Sequence, residues 1–354
     1  MQEFRGARIK KQQRKCASIT LFQKIETLSI IRLFYTVSTC MLEVINAILP
    51  VFLLIFIGWF TLHKGIITQA GTSACKTLVT SYVFPALLFM ETAYTDPKKI
   101  IELKWLGAFL LAMFLIWLIC FCTNKVGFSK SVKSSSLLSL LCTFPNMGGM
   151  GIPFLLHMIG NTALISVVRA NFVVALTLIP LTIVLLELQT KNNVSLLRKI
   201  YQAIWRSIKK PLFLSVFIGL IFNLTGITKM IPHAISETLH ITAQACVFIS
   251  LFTVGAALHG KKIILNKIFI FNMSMKCIGS ALIALAIVLI FHIHGNDARE
   301  FILLLAMPTA TVATIMALQW NTETEAAISI YLGSTVCSLL TLPILLYVLL
   351  LIPL

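Results

Sequence analysis

The sequence predicts an all-α polytopic membrane protein: ten transmembrane helices in two inverted five-helix repeats, with helices 4 and 9 broken and crossing. Three observations predict it. First, 58% of the 354 residues are hydrophobic, only 12% are charged and the mean hydropathy is +0.95, which leaves too few charges to coat a globular surface. Second, Pro50-Val-Phe-Leu-Leu-Ile-Phe-Ile-Gly58 returns 161 positions later as Pro211-Leu-Phe-Leu-Ser-Val-Phe-Ile-Gly219, and Gly65 returns as Gly226. Third, Pro145 and Pro180 are 35 residues apart, as are Pro308 and Pro343. Duplication accounts for both spacings. Each half carries an apolar segment interrupted by proline and polar residues, a pattern that points to the binding site of a secondary transporter.

The ten apolar segments have the length, roughly 20 residues, that crosses the hydrocarbon core. They fall at 41–62, 72–93, 105–123, 134–158, 163–186, 211–226, 231–258, 268–291, 301–320 and 326–351. Residues 1–40 precede them as a basic extension, 41–187 form the first repeat, 188–210 a linker and 211–354 the second repeat. Five segments per repeat is an odd number, so the second copy is inverted.

The net charge of +17 invites a nucleic-acid reading, but its distribution excludes one. Connections after segments 1, 3, 5 and 7 carry thirteen basic residues: Lys64, Lys125, Lys130, Lys133, Lys191, Arg198, Lys199, Arg206, Lys209, Lys210, Lys261, Lys262 and Lys267. The opposite side carries five: Lys98, Lys99, Lys104, Lys229 and Arg299. The richer side is cytoplasmic by the positive-inside bias, so both ends of the ten-helix core lie outside the cytoplasm, in a plasma or inner membrane. The eight basic residues of 1–40 conflict with that topology. Either translation begins at Met41, or this stretch is a removed or disordered leader.

Segment 4 reads Phe144-Pro145-Asn146-Met147-Gly148-Gly149-Met150-Gly151-Ile152-Pro153. Proline removes a donor and clashes with the preceding turn, and glycine weakens a helix interior, so the helix breaks here. Unwound backbone at membrane depth survives where protein buries it or where it lines a cavity. The N–H groups opening the following half-helix attract an anion, and the Asn146 carboxamide adds a donor and an acceptor. Segment 9, Ala306-Met307-Pro308-Thr309-Ala310-Thr311-Val312-Ala313-Thr314, has no glycine, so a milder break is expected, with hydroxyls available to carbonyls or solute. The alternative for both is a packing kink.

The linker 188–210 places Leu197, Ile200, Ile204 and Ile208 at helical spacing beside Arg198, Lys199, Arg206 and Lys209. It reads as a basic amphipathic helix on the anionic leaflet, or equally as a solvated connector. The nine cysteines are scattered singly except Cys120-x-Cys122, and most read as buried free thiols; no Cys/His spacing suits a metal.

These residues together resemble the auxin efflux carrier family. The resemblance rests on Phe84-Pro85-Ala86-Leu87-Leu88-Phe89, Pro145-Asn146 with Gly151-Ile152-Pro153, Leu251-Phe252-Thr253-Val254-Gly255-Ala256-Ala257-Leu258, and Met307-Pro308 followed by Ala317 and Leu342-Pro343-Ile344. It covers 41–354. It implies a ten-helix fold related to bile-acid sodium symporters, an elevator-like movement of one subdomain against the other, and a crossover site at Pro145, Asn146 and Pro308. The short linker and Arg169 depart from the plant auxin carriers, so auxin itself is not implied.

Further site residues follow from position. Gly148 and Gly149 lie at the first break, Thr309 and Thr311 at the second. Arg169, inside segment 5, is read either as a countercharge for a carboxylate or as an arginine that snorkels or binds backbone carbonyls. Lys76 and Lys276 lie nearer the cytoplasmic connections and are expected to snorkel. Glu91, six residues after Pro85, is a candidate for proton or sodium coupling, or else an end-of-helix glutamate facing water; Glu237 is a weaker one. His157 and His240 could carry protons or be held by carbonyls.

The leading expectation is therefore a permease for a small organic anion, by resemblance a carboxylate, embedded in the lipid bilayer and needing no cofactor. A homodimer would give the moving subdomain a fixed scaffold. A non-transporting solute sensor is the alternative, opposed by the lack of a signalling domain. An intramembrane enzyme is opposed by the scarcity of convergent acids, and no Gly-x-x-x-x-Gly-Lys pattern indicates ATP hydrolysis.

Overall fold

The computed structural model describes residues 49–95, 102–160, 163–188 and 211–352, with isolated positions between 198 and 209. The 1–40 extension and most of the 188–210 linker lie outside the described residues. The described chain is helical: α1 Leu49–His63, α2 Gln69–Tyr94, α3 Leu103–Gly127, α4 Val132–Thr143, α5 Ile152–Met158, α6 Ile165–Leu188, α7 Pro211–Thr225, α8 His233–Leu258, α9 Lys267–Ile290, α10 Gly295–Ala306, α11 Thr311–Gln319 and α12 Thr324–Leu351. Six of these, α2, α3, α6, α8, α9 and α12, are long and apolar enough to cross a membrane. Phe56 of α1, Phe217 and Ile221 of α7, Leu282 and Leu289 of α9 and Leu340 of α12 are exposed, as a lipid-facing surface requires. The protein is an integral multi-pass membrane protein.

Local chemistry sets the ends. Thr68, Ser131 and Asn266 cap α2, α4 and α9 by accepting from the N–H of Gly71 (3.2 Å), Ser134 (3.1 Å) and Phe269 (2.9 Å). The duplicated glycines act alike: Gly65 after α1 and Gly226 after α7 take φ of +72° and +74°, a left-handed conformation that ends a helix and that side chains resist. Before Pro85, α2 widens into a π turn at Val79–Val83, which accommodates the ring and the missing donor without ending the helix.

Segment 9 starts earlier than its apolar run. Residues Gly295–Glu300 already belong to α10, with Asp297 in the first turn where the helix dipole favours an acid. Its break is also deeper than the lack of glycine suggests. Met307 and Ala310 are extended, with ψ of 148° and 137°, because Pro308 cannot donate and the segment is held by the opposing break.

Two groups of helices pack around that pair. On one side α1 lies against α8 so closely that a Cβ at Gly58 would overlap the Phe252 carbonyl, and one at Gly255 would overlap that of Ile55. Likewise α7 lies against α2, where a Cβ at Gly219 would meet the Thr92 hydroxyl and the Phe89 carbonyl. On the other side Trp105, Phe109 and Phe301 stack between α3 and α10, with centroids 4.8 to 5.3 Å apart. Asn124 of α3 and Asn272 of α9 exchange carboxamide hydrogen bonds of 2.9 and 3.1 Å, and each also donates to the carbonyl four residues earlier. Such a buried pair is fully satisfied and fixes the register of two apolar helices.

The expectation that Lys276 snorkels is overturned. A π turn at Met275–Gly279 carries it inward, it is fully buried, and its Nζ donates to the Leu305 carbonyl at 3.2 Å. The last carbonyls of α10 are the negative end of its dipole, and a buried ammonium is held there in place of water. Lys76 is only half-buried.

Candidate functional site

The site begins with two prolines. In an unbroken helix Pro145 would donate to Leu141 and Pro308 to Leu304; neither has an N–H, so two carbonyls are orphaned inside the protein. The Thr309 hydroxyl donates to the Leu141 carbonyl at 2.9 Å, and Met307 N–H donates to the Leu304 carbonyl at 3.2 Å. Thr309 N–H is taken by the Ser334 hydroxyl of α12 at 3.1 Å, which leaves the Leu305 carbonyl for Lys276.

The two breaks are then sewn together. Asn146 N–H donates to the Pro308 carbonyl at 2.8 Å and Ala310 N–H to the Phe144 carbonyl at 2.9 Å, an antiparallel bridge centred on Pro145 and Thr309. Beyond it the chain turns helical again on both sides. The Asn146 carbonyl accepts from Gly151 N–H at 3.0 Å as the π turn Met147–Gly151 leads into α5, and α11 opens at Thr311.

A cavity of about 50 Å³ opens against this bridge, lined by Phe144, Pro145, Asn146 and Met147 of the first break and by Ala310, Thr311 and Val312 of the second. From the facing helices come Phe84, Leu87 and Glu91 of α2, Asn171 of α6, and Cys246, Val247 and Ser250 of α8. That volume holds on the order of a few waters or a very small solute. Thr311 Oγ1 also lies 3.4 Å from the Tyr331 hydroxyl. A second cavity, about 380 Å³, lies further along the same helices, between Thr80 and Ser81 of α2, Ile183 of α6, Pro211 of α7 and Met316, Gln319 and Trp320 near the end of α11.

Of the residues expected at the site, Pro145, Asn146, Thr311 and Glu91 line the cavity. Pro308 and Thr309 sit at the bridge behind it, the Thr309 hydroxyl already committed to Leu141. Gly148 and Gly149 fall in the π turn. Arg169 stands elsewhere. Its guanidinium pairs with Glu102 at 2.8 Å, approaches Asp297 at 4.0 Å and lies over the Trp105 ring at 5.7 Å, at the ends of α3 and α10. Such an arrangement joins three helices; it does not face the cavity.

Sequence reasoning missed Asn171, Cys246 and Ser250. Cys246 and Ser250 are two among several polar side chains of α8, and Asn171 follows two residues after Arg169, so nothing in the local sequence singles them out. It also passed over Glu300, which is buried and accepts from the Ser166 hydroxyl of α6.

Comparison with known proteins points to membrane transport. The profile of a family described as membrane transport protein matches residues 43–346. The chain is 23% identical over 316 residues to the uncharacterized transporter YfdV of Escherichia coli strain K12, covering 86% of this chain and 97% of that protein. It is 21% identical over 312 residues to an uncharacterized transporter of Methanothermobacter thermautotrophicus, covering 84% and 96%.

Proposed function

Because the chain belongs to the family described as membrane transport protein, the auxin efflux carriers, we propose that it is a secondary transporter carrying a small organic anion, a carboxylate, by elevator-like alternating access. The observation that carries this reading is the backbone bridge between two interrupted helices, with a cavity against it lined by Asn146 and Thr311. Half-helices opening beside the cavity offer N–H groups and positive dipole ends to an anion, and Asn146 orients it.

Ten transmembrane helices in two inverted five-helix repeats fit the packing. Gly58 of α1 meets Phe252 of α8, and Gly219 of α7 meets Phe89 of α2. Phe89 and Phe252 are 163 residues apart, the separation of Pro145 and Pro308, so the two contacts exchange places as a two-fold relation demands. Cavities at successive levels along α2, α6 and α11 suit a solute reached from alternate sides. The cavity at the crossover lies between the bridge and α2 and α8, which suits movement of one bundle past the other, and a homodimer would hold one bundle still. The charge asymmetry favours a plasma or inner membrane location with both ends of the core non-cytoplasmic.

The test is uptake of 14C-labelled mono- and dicarboxylates by purified protein in proteoliposomes. Asn146→Ala is expected to lower uptake by about tenfold or more, the loss of one hydrogen bond to a charged group, with unchanged protein abundance. Unchanged uptake by this variant would remove Asn146 from the site.

A further inference from the structure

We propose that Glu91 is a proton site, so that the anion crosses only together with a proton carried on the Glu91 carboxyl. The inference rests on the anion reading above and deepens it. The cavity that receives the solute is lined by one carboxylate and, among its described residues, by no lysine, arginine or histidine. Glu91 lies on α2 facing the crossover; its Oε2 is buried and has no hydrogen-bond partner among the described residues, while Asn171 of α6 lies within hydrogen-bonding reach of the carboxyl.

An ionised Glu91 and a carboxylate solute would be two like charges in one small, largely apolar chamber, and such pairs do not both ionise. Arg169, the nearest cation on α6, is spent on Glu102 and Asp297. A proton on Oε2 removes the repulsion and supplies a donor to the solute carboxylate, as a neutral carboxylic acid does in an apolar site. The step balances: Oε2 gains a proton from water on the side of entry, the O–H bond lasts through the movement, and the proton leaves to water on the other side. A monoanion then moves without net charge.

The groups facing Glu91 leave it to titrate largely alone. From α8 comes the Cys246 thiol beside Ser250, from α6 the neutral Asn171, and from the crossover Asn146 and Thr311, the latter backed by the Tyr331 hydroxyl. Helix α7, the other helix packed on this part of α2, carries no titratable side chain between Pro211 and Thr225. Sodium is the less suitable ion. It takes several oxygens, whereas Phe84, Leu87, Val247 and Val312 fill much of the wall.

The experiment uses the full chain in proteoliposomes loaded with the pH dye pyranine, and the same 14C-labelled carboxylate panel. Expected for the wild type are acidification of the lumen with uptake, no requirement for sodium, and binding that weakens about tenfold per pH unit above the ionisation of Glu91. Glu91→Gln is expected to bind with no pH slope and to lose accumulation driven by a proton gradient. Carboxylate uptake without proton movement, uptake that requires sodium, or a pH slope retained by Glu91→Gln overturns the proton site and leaves the anion reading standing. Binding of organic amines such as putrescine, with no carboxylate bound at any pH, overturns both and makes Glu91 a countercharge. Should Glu91→Gln fail to fold, the pyranine signal of the wild type decides.

Discussion

Thr309 holds the crossover together. Its hydroxyl replaces the donor that Pro145 lacks, its N–H is bound by Ser334, and it is fully buried. Thr309→Val keeps the shape and removes the hydroxyl, leaving the Leu141 carbonyl unsatisfied. A loss of about 1–3 kcal/mol is expected, read as a lowered midpoint of thermal unfolding in detergent. Thr309→Ser, which keeps the donor, should recover most of it. Lys276 does comparable work at the Leu305 carbonyl, and nothing in its sequence neighbourhood shows this: a lysine a few residues inside an apolar segment looks the same whether it snorkels or turns inward. The π turn at Met275–Gly279 decides the direction.

At the scale of elements, the close helix crossings depend on glycine. At Gly58 an added Cβ would collide with the Phe252 backbone carbonyl, which cannot rotate away; at Gly219 its nearest neighbour would be the Thr92 hydroxyl, the end of a side chain that can turn. Gly58→Ala is therefore expected to cost more than Gly219→Ala, on the order of 1–3 kcal/mol for the former, as ranked by thermal unfolding of the purified variants. The prolines were legible as breaks because no helix can absorb Pro145 with three glycines close behind it. The completeness of the second break was not legible. Pro308 alone permits a kink, and the extended conformation arises because residues 144–146 pair with it.

Across the whole molecule, the basic connections and their partners gather at common ends. Lys130 pairs with Glu323 at 2.7 Å and Lys133 donates to the Trp320 carbonyl at 3.3 Å, joining the approach to α4 with the α11–α12 turn. At the other end Lys104 donates to the His292 carbonyl at 2.9 Å. If the positive-inside assignment holds, a cysteine replacing Thr322 should react with an impermeant maleimide only after the cell is opened, and one replacing His294 in intact cells; the reverse pattern would invert the topology.

Composition and the proline repeat alone determined that this chain is helical, membrane-embedded and interrupted at two related places, because apolar length and a missing N–H are properties of residues that need no partner. Which interruption touches which, that Arg169 serves Glu102 and not the cavity, and that Glu91 shares a chamber with Asn146 and Thr311 were decided only by tertiary structure. Those relations join residues from α2, α6, α8 and both breaks, and a side chain's role inside a bilayer is set by what faces it across a gap the sequence does not record.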